Sequence, residues 1–536
     1  MKKFLLTIYN ILGFTGLWLA PIVYVILGQG FLSLDSQKRL LVCLAVIVWT
    51  SFNNFWSIAC EGKRFDEINI GDGLIPDTGL KKESPQKRVA MYPKVPVQYL
   101  SKTPEGVILG TYKNRYVRVP TDTIHHYCIL GGTGSGKSST ILIDSLLANF
   151  SKEHPDSLVF AIDIKGELHE KATKAFAENV LIVDPSDRTT AGWDAFYRLH
   201  DNPSDDLIIE AIEEIGQALI VSTNPKDHFF VENARTMFTG LLVYYFKQGE
   251  TFIDSVNKIL EADTGKLILD ITKDSSPSDV WYKYLAKFAG KDAESIQDCM
   301  VEMTTSLSVF SKSDVKFCFR DNAIKASPYS FREQKSVFLA IPEHLLESYK
   351  ALLRLCTCQV LQELQRRSEH ETTPIMLIID EFARLGRIEG IFNALATLRS
   401  KKVMILLAFQ SLAQCEVIYS KDEARTLTDN CRIKYILEVS DPQTAKTVQD
   451  WCGTYRDKKE TLNGGKNHHK SYSYENQPIV EPKDLLTLTK KQEVILVISG
   501  TGYLRVKKVF YFKDKLLSAM AEKVKGYNES LKQQTQ

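Results

Sequence analysis

Gly131-Gly132-Thr133-Gly134-Ser135-Gly136-Lys137-Ser138 fits the pattern G-x-x-x-x-G-K-[ST] and is continued by Ser139. Its glycines let successive backbone N–H groups turn inward as an anion-binding nest, and a helix starting behind them adds its positive end. In such a loop Lys137 reaches the β- and γ-phosphates of ATP, and the Ser138 hydroxyl ligates Mg²⁺. A second constellation, Ile375-Met376-Leu377-Ile378-Ile379-Asp380-Glu381, is an apolar strand ending in two carboxylates, and Asp380 lies 243 positions after Lys137. Asp380 suits the Mg²⁺ shell, and Glu381 suits orienting and polarising an attacking water, so the pair predicts hydrolysis and not binding alone. Gln410 ends an apolar run where a neighbouring strand would present a polar group to the γ-phosphate. Arg399, in Leu398-Arg399-Ser400-Lys401-Lys402, ends the helical segment after Glu381. It suits an arginine finger reaching a neighbouring subunit's nucleotide, or equally a favourable cation at a helix C-terminus.

These residues need strands and helices in a fixed order. Short apolar runs at 127–130, 158–163, 180–184, 336–341, 375–379, 403–409 and 433–439 are mostly separated by helical patterns. That alternation predicts a doubly wound α/β sheet carrying a P-loop ATPase site. Residues 106–112 and 115–119 alternate around Lys113-Asn114 as a small hairpin, and 493–498 with 505–510 look like a closing hairpin. Between about 193 and 319 the strand signal gives way to helical periodicity at 207–220, 231–246 and 296–310, which predicts an all-helical insertion. Gly464 to Tyr474 reads as a polar loop.

The amino-terminal end is apolar. Residues 4–27 carry no charge and would make a helix of roughly 36 Å, and a second uncharged run at 40–60 follows after Asp35, Lys38 and Arg39. Two spans predict a transmembrane hairpin with the amino terminus inside, by Lys2 and Lys3 before it and Lys63 and Arg64 after it. The expected organisation is therefore a hairpin over 1–60, a linker with a small β-hairpin over 61–120, a nucleotide-binding domain over 121–192 and 320–512, a helical insertion over 193–319 and a tail over 513–536.

Composition narrows the class further. Of 536 residues, 67 are Lys or Arg and 65 Asp or Glu, so the net charge of +2 excludes a histone-like polycation and an acidic disordered chain. Any nucleic-acid surface must be local. Hydrophobic residues make up 44%, too few for a many-span transporter. Ten cysteines without a C-x-x-C pair, and the adjacent pairs His125-His126 and His468-His469, leave no zinc-site or metalloprotease spacing. Cys356 and Cys358 read as small core residues.

Taken together the chain resembles the coupling proteins of type IV secretion and bacterial conjugation, membrane-anchored hexameric ATPases related to FtsK-like and RecA-like DNA motors. The resemblance rests on the two apolar spans; on Gly131–Thr140; on Ala161-Ile162-Asp163-Ile164-Lys165-Gly166-Glu167-Leu168; on Ile379-Asp380-Glu381-Phe382-Ala383-Arg384-Leu385-Gly386; on Phe409-Gln410-Ser411-Leu412-Ala413-Gln414; and on Asp429-Asn430-Cys431 with Asp441-Pro442-Gln443-Thr444-Ala445. It implies a RecA-like domain in a homo-hexameric cytoplasmic ring, ATP and Mg²⁺ as cofactors, and a channel for DNA, single-stranded and gripped without regard to sequence. It also implies a helical domain that meets substrate, a two-pass anchor in the bacterial inner membrane, and relaxase or effector proteins and secretion-channel components as partners. The similar spacing of Arg399 before Gln410 favours the finger role. Ile164 replaces the proline usual in that motif, the loop between spans is short, and the tail after Phe512 has five lysines against three acidic residues, so an acidic docking tail is absent.

Overall fold

Strands buried on both faces need side chains that are apolar in both directions, which is why the seven central runs are nearly continuous in Val, Ile, Leu and Phe. In the computed structural model the chain is described over residues 85–152, 155–173, 179–221, 228–291, 293–463 and 469–535. The two apolar runs read as membrane spans lie outside the described residues. Among the described residues no helix is long and apolar enough to cross a membrane.

The strands in chain order are β1 (Leu100–Ser101), β2 (Val107–Tyr112), β3 (Arg115–Val119), β4 (Tyr127–Gly131), β5 (Leu158–Asp163), β6 (Val180–Val183), β7 (Gly192–Trp193), β8 (Lys325–Ala326), β9 (Ser336–Ala340), β10 (Ile375–Ile379), β11 (Val403–Phe409), β12 (Ile433–Glu438), β13 (Thr454–Asn463), β14 (His469–Pro478), β15 (Glu493–Ile498) and β16 (Gly502–Lys507). Twelve of them form one mixed sheet in the order β1-β3-β2-β16-β15-β12-β4-β11-β10-β5-β9-β6. The run from β12 to β6 is parallel throughout, and the remaining pairings, from β12 to β15 outward, are antiparallel.

Side chains alternate between the faces of this sheet. Cys128, Leu130, Phe160 and Ile162 enter a core with the helix Leu346–Arg366 and the inserted helices. Tyr127, Ile129, Val159 and Ala161 enter the opposite core with the helix Ile143–Phe150. The insertion leaves through β7 and returns through β8, which pair with each other in parallel. Its helices Asp205–Leu219, Phe252–Glu261 and Thr264–Asp274 start at Ser204, Thr251 and Asp263, whose side chains accept the otherwise unpaired amides of Leu207, Asp254 and Lys266. At its neck Trp193 Nε1 donates to Gln359 Oε1 at 2.8 Å, and Gln359 Nε2 donates to the Ala195 carbonyl at 2.8 Å.

Four expectations change. The hairpin β2–β3 joins the main sheet through β16 and is not a separate element of a linker. The closing hairpin turns at 499–501, with Ile498 opposite Gly502, so its second strand begins three residues earlier than expected and ends at Lys507. Residues 469–474 are not loop but the start of β14, paired with β13 in a ribbon outside the main sheet. Both ribbon strands are polar on both faces, so no alternation of hydropathy marks them. After Phe512 the chain forms a helix, Lys515–Thr535, which packs on the domain by burying Leu517 and Val524 and by Lys523 Nζ donating to the Ser151 carbonyl at 2.8 Å.

One buried group ties this face to pH. Asp144 is fully buried, and burial pushes its carboxyl well above the ordinary carboxylate range. The folded chain therefore keeps a proton that the unfolded chain releases above about pH 4. Stability is full below that pH and is lost as pH rises toward the folded value. Asp144→Asn, neutral at every pH, is expected to raise the thermal midpoint over wild type by a margin that grows from about pH 5 to about pH 8. Parallel midpoints across that range would refute the assignment.

Candidate active site

The loop Gly131–Ser138 leaves the C-terminal end of β4, between β12 and β11. Gly136 has φ +98°, a backbone state open to glycine, and a Cβ on Gly131 would meet Ser135 Oγ at 2.4 Å. Ser138 opens a π-turn that passes into the helix Ile143–Phe150, so the loop ends at a helical N-terminus. Ser139 Oγ and Thr140 Oγ1 donate to the Gly136 carbonyl at 3.4 and 2.7 Å. Gly132 and Ser138 are half-buried, whereas Thr133 and Gly134 are exposed to solvent.

Lys137 is buried. Its Nζ donates to the Gly131 carbonyl at 2.8 Å and stands 3.3 Å from Glu381 Oε1. Glu381 Oε2 in turn accepts from Gln410 Nε2 at 2.8 Å. Since β11 lies between β4 and β10, the three adjacent strand ends bring Lys137, Gln410 and Glu381 into one chain of contacts. Glu381 takes the left-handed backbone state, φ +53° and ψ +44°, unusual for a residue with a side chain. Such strain at a strand end persists only where the surroundings hold it.

Asp380 is buried beside it, with Oδ1 accepting the Glu381 amide at 3.0 Å. Burial pushes its carboxyl up to about 6, the Glu381 charge adds to this, and Lys137 opposes it. A buried carboxylate with an adjacent hydroxyl-bearing loop is a hard-oxygen donor set, the kind that holds Mg²⁺. On the next strand Asp163 ends β5, and its Oδ2 accepts the amide and Nδ1 of His169 at 2.9 and 2.8 Å. The contact orients Asp163 toward its own following turn.

Arg399 is placed elsewhere. It is exposed in the turn after the helix Ile391–Thr397 and before β11 begins at Val403. It adds to the burial that pulls the His126 imidazole down to about 4, which locates it by the N-terminal end of β4. At roughly 3.3 Å per residue, the length of β11 puts about 20 Å between that end and Gln410. Arg399 therefore does not meet Lys137 of its own chain, and its guanidinium has no ion pair among the described residues. His126 Nδ1 accepts the Ile405 amide at 3.1 Å, a structural bond between strands. Cys356 and Cys358 are buried on the helix Leu346–Arg366.

One residue at the site has no signal in the sequence. Lys508, just beyond β16, is 6% exposed, and its Nζ donates to the Ser135 carbonyl at 2.9 Å and to Thr489 Oγ1 at 3.0 Å. Burial pulls its ammonium down to about 8.

Residues 85–534 match the family model for type IV secretory system conjugative DNA transfer. The chain belongs to this family. Among curated members, protein VirD4 of Agrobacterium fabrum is 23% identical over 425 residues, covering 74% of this chain and 60% of its own length. The type IV secretion system-coupling protein VirD4 of Bartonella quintana is 21% identical over 418 residues, covering 74% and 64%. The match thus spans about 60% of the length of such relatives. Among solved structures, the bacterial conjugative coupling protein TrwBdeltaN70 has TM-score 0.61 at 18% identity over 76% of this chain and 90% of its own. TrwB in complex with ADP and Mg²⁺ has TM-score 0.60 at 17% identity over 76% and 89%. This member of the conjugative DNA transfer family therefore shares the α/β fold of TrwB, including a large mixed sheet.

Proposed function

We propose that the chain is the coupling ATPase of a type IV secretion or conjugation system, recruiting DNA with its relaxase and driving transfer across the inner membrane by ATP hydrolysis. The observation that carries this is the contact chain Lys137, Glu381, Gln410 at three adjacent strand ends in a chain of this family. Gly131 to Ser139 would cradle the phosphates, and Ser138 and Asp380 would hold Mg²⁺. Bound Mg²⁺ neutralises charge on the β- and γ-oxygens. Lys137 would leave Glu381 for the phosphates, and a cation beside Asp380 would favour the ionised form of its carboxyl, which burial otherwise disfavours. Glu381, released from Lys137 and still held by Gln410, accepts a hydrogen bond from the attacking water and orients it. Arg399, at the opposite end of the central strands, serves the site of a neighbouring subunit in a homo-hexamer.

In this reading the helical insertion, 193–319, meets substrate, and residues 1–60 form a two-pass anchor with the amino terminus and ATPase domain in the cytoplasm. DNA is held as a single strand by its phosphates, with relaxase or effector proteins and inner-membrane secretion components as partners. That grip is electrostatic and weakens with salt. Hydrolysis by detergent-solubilised full-length protein is expected to rise more steeply than protein concentration, and single-stranded DNA is expected to stimulate it in a salt-sensitive way. Lys137-dependent turnover indifferent to DNA would instead assign the chain to protein cargo.

A further inference from the structure

We propose that Lys508 is a positioning residue for the phosphate loop, holding the Ser135 carbonyl from behind so that the next amide, Gly136 N–H, faces the phosphates. The inference rests on the nucleotide reading above and adds to it a residue 371 positions from Lys137, outside every motif.

A buried ammonium is costly unless its donors are satisfied, and it is usually met by a carboxylate. Lys508 has no carboxylate within ion-pair distance among the described residues and directs its donors to a loop carbonyl and a threonine hydroxyl. Glu438, at the end of β12, is the acidic group that acts on it from further away. In a trans peptide the C=O and the following N–H point in opposite directions. Fixing the Ser135 carbonyl on Lys508 therefore turns the Gly136 amide to the other side of the loop, the direction an anion nest requires. Gly136 carries φ +98°, and a Cβ there would stand 3.7 Å from Phe510 Cε1, so the segment after β16 flanks the loop at two points. The Lys508 amide donates to the Gln492 carbonyl at 2.8 Å, which anchors the lysine to the end of the β15–β16 hairpin. The loop is thus braced by a part of the chain that contributes nothing to the catalytic contact chain.

Binding of a fluorescent ADP analogue to the full-length protein tests this at a temperature well below unfolding. Lys508→Met keeps the volume and removes the charge, and is expected to raise Kd about tenfold, the scale of one hydrogen bond to a charged group. Lys508→Arg keeps charge and donors and is expected to recover most of the affinity. Thr489→Val leaves the ammonium on Ser135 and is expected to stay within about twofold of wild type. Wild-type affinity in Lys508→Met would overturn the proposal, and so would equal losses in Lys508→Met and Thr489→Val, which would assign the effect to packing of the strand end. A lower thermal midpoint with unchanged Kd would mean a structural role alone. Should Lys508→Met fail to fold, a tenfold loss in soluble Lys508→Arg would equally overturn it. Wild-type protein that binds no better than Lys137→Ala would instead refute the nucleotide reading itself.

Discussion

Arg399→Ala is expected to lower turnover about 10³-fold or more while ATP affinity changes little, the loss typical of a missing arginine finger. β11 separates Arg399 from Gln410 by its whole length, so the guanidinium stands at the wrong end of the sheet to serve its own chain's site. It is exposed, carries no ion pair among the described residues and lies in an open surface depression with Gln365, Thr397 and Lys401. An exposed arginine that only favoured a helix C-terminus would contribute stability of about 0.3–1 kcal/mol and leave hydrolysis intact. Mixing separates the two cases. Arg399→Ala and Lys137→Ala proteins, each inactive, are expected to recover part of the turnover when co-assembled, because one supplies intact phosphate loops and the other intact fingers. No recovery in mixed assemblies, or full activity of Arg399→Ala alone, would show that Arg399 does not act across a subunit boundary.

Glu381→Gln is expected to reduce hydrolysis by about 10²–10⁴-fold, the contribution of a group that polarises a nucleophile. Nucleotide affinity is expected to hold or improve, because the substitution releases Lys137 from its ion pair while leaving its bond to the Gly131 carbonyl. Glutamine keeps the side-chain length and the left-handed backbone of Glu381, so strain is equal in both proteins and charge alone differs. Single-turnover hydrolysis together with equilibrium binding reads the two effects separately. Unimpaired hydrolysis would remove Glu381 from the reaction, and lost binding would mean that it positions the loop.

The glycine loop after β4 was legible because it is local: a strand, a glycine turn and a helix start within about twenty residues, each with its own composition signal. The seven parallel strands were legible for a related reason, since burial on two faces leaves an apolar run that needs no partner to be recognised. The ribbon β13–β14 was not, because strands such as TYRDKKETLN and HKSYSYENQP are polar on both sides and only their pairing reveals them. The hairpin β15–β16 was found but misplaced by three residues, because register depends on which residue turns the chain and not on apolar content.

By itself, then, the sequence determined the α/β class, which apolar runs become the central strands and that helices fill the stretch between β7 and β8, and it marked Lys137, Ser138, Asp380 and Glu381 as candidates, all of which depend on contacts close along the chain or on burial. Tertiary structure alone decided that Glu381 meets Lys137 through the strand order β4-β11-β10, that Gln410 completes the contact from the strand between them, and that Arg399 lies at the opposite end of these strands. It alone brought Lys508 against the glycine loop at the Ser135 carbonyl. Strand order and direction are set by non-local packing, and residues hundreds of positions apart carry no mutual signal until a sheet aligns their ends.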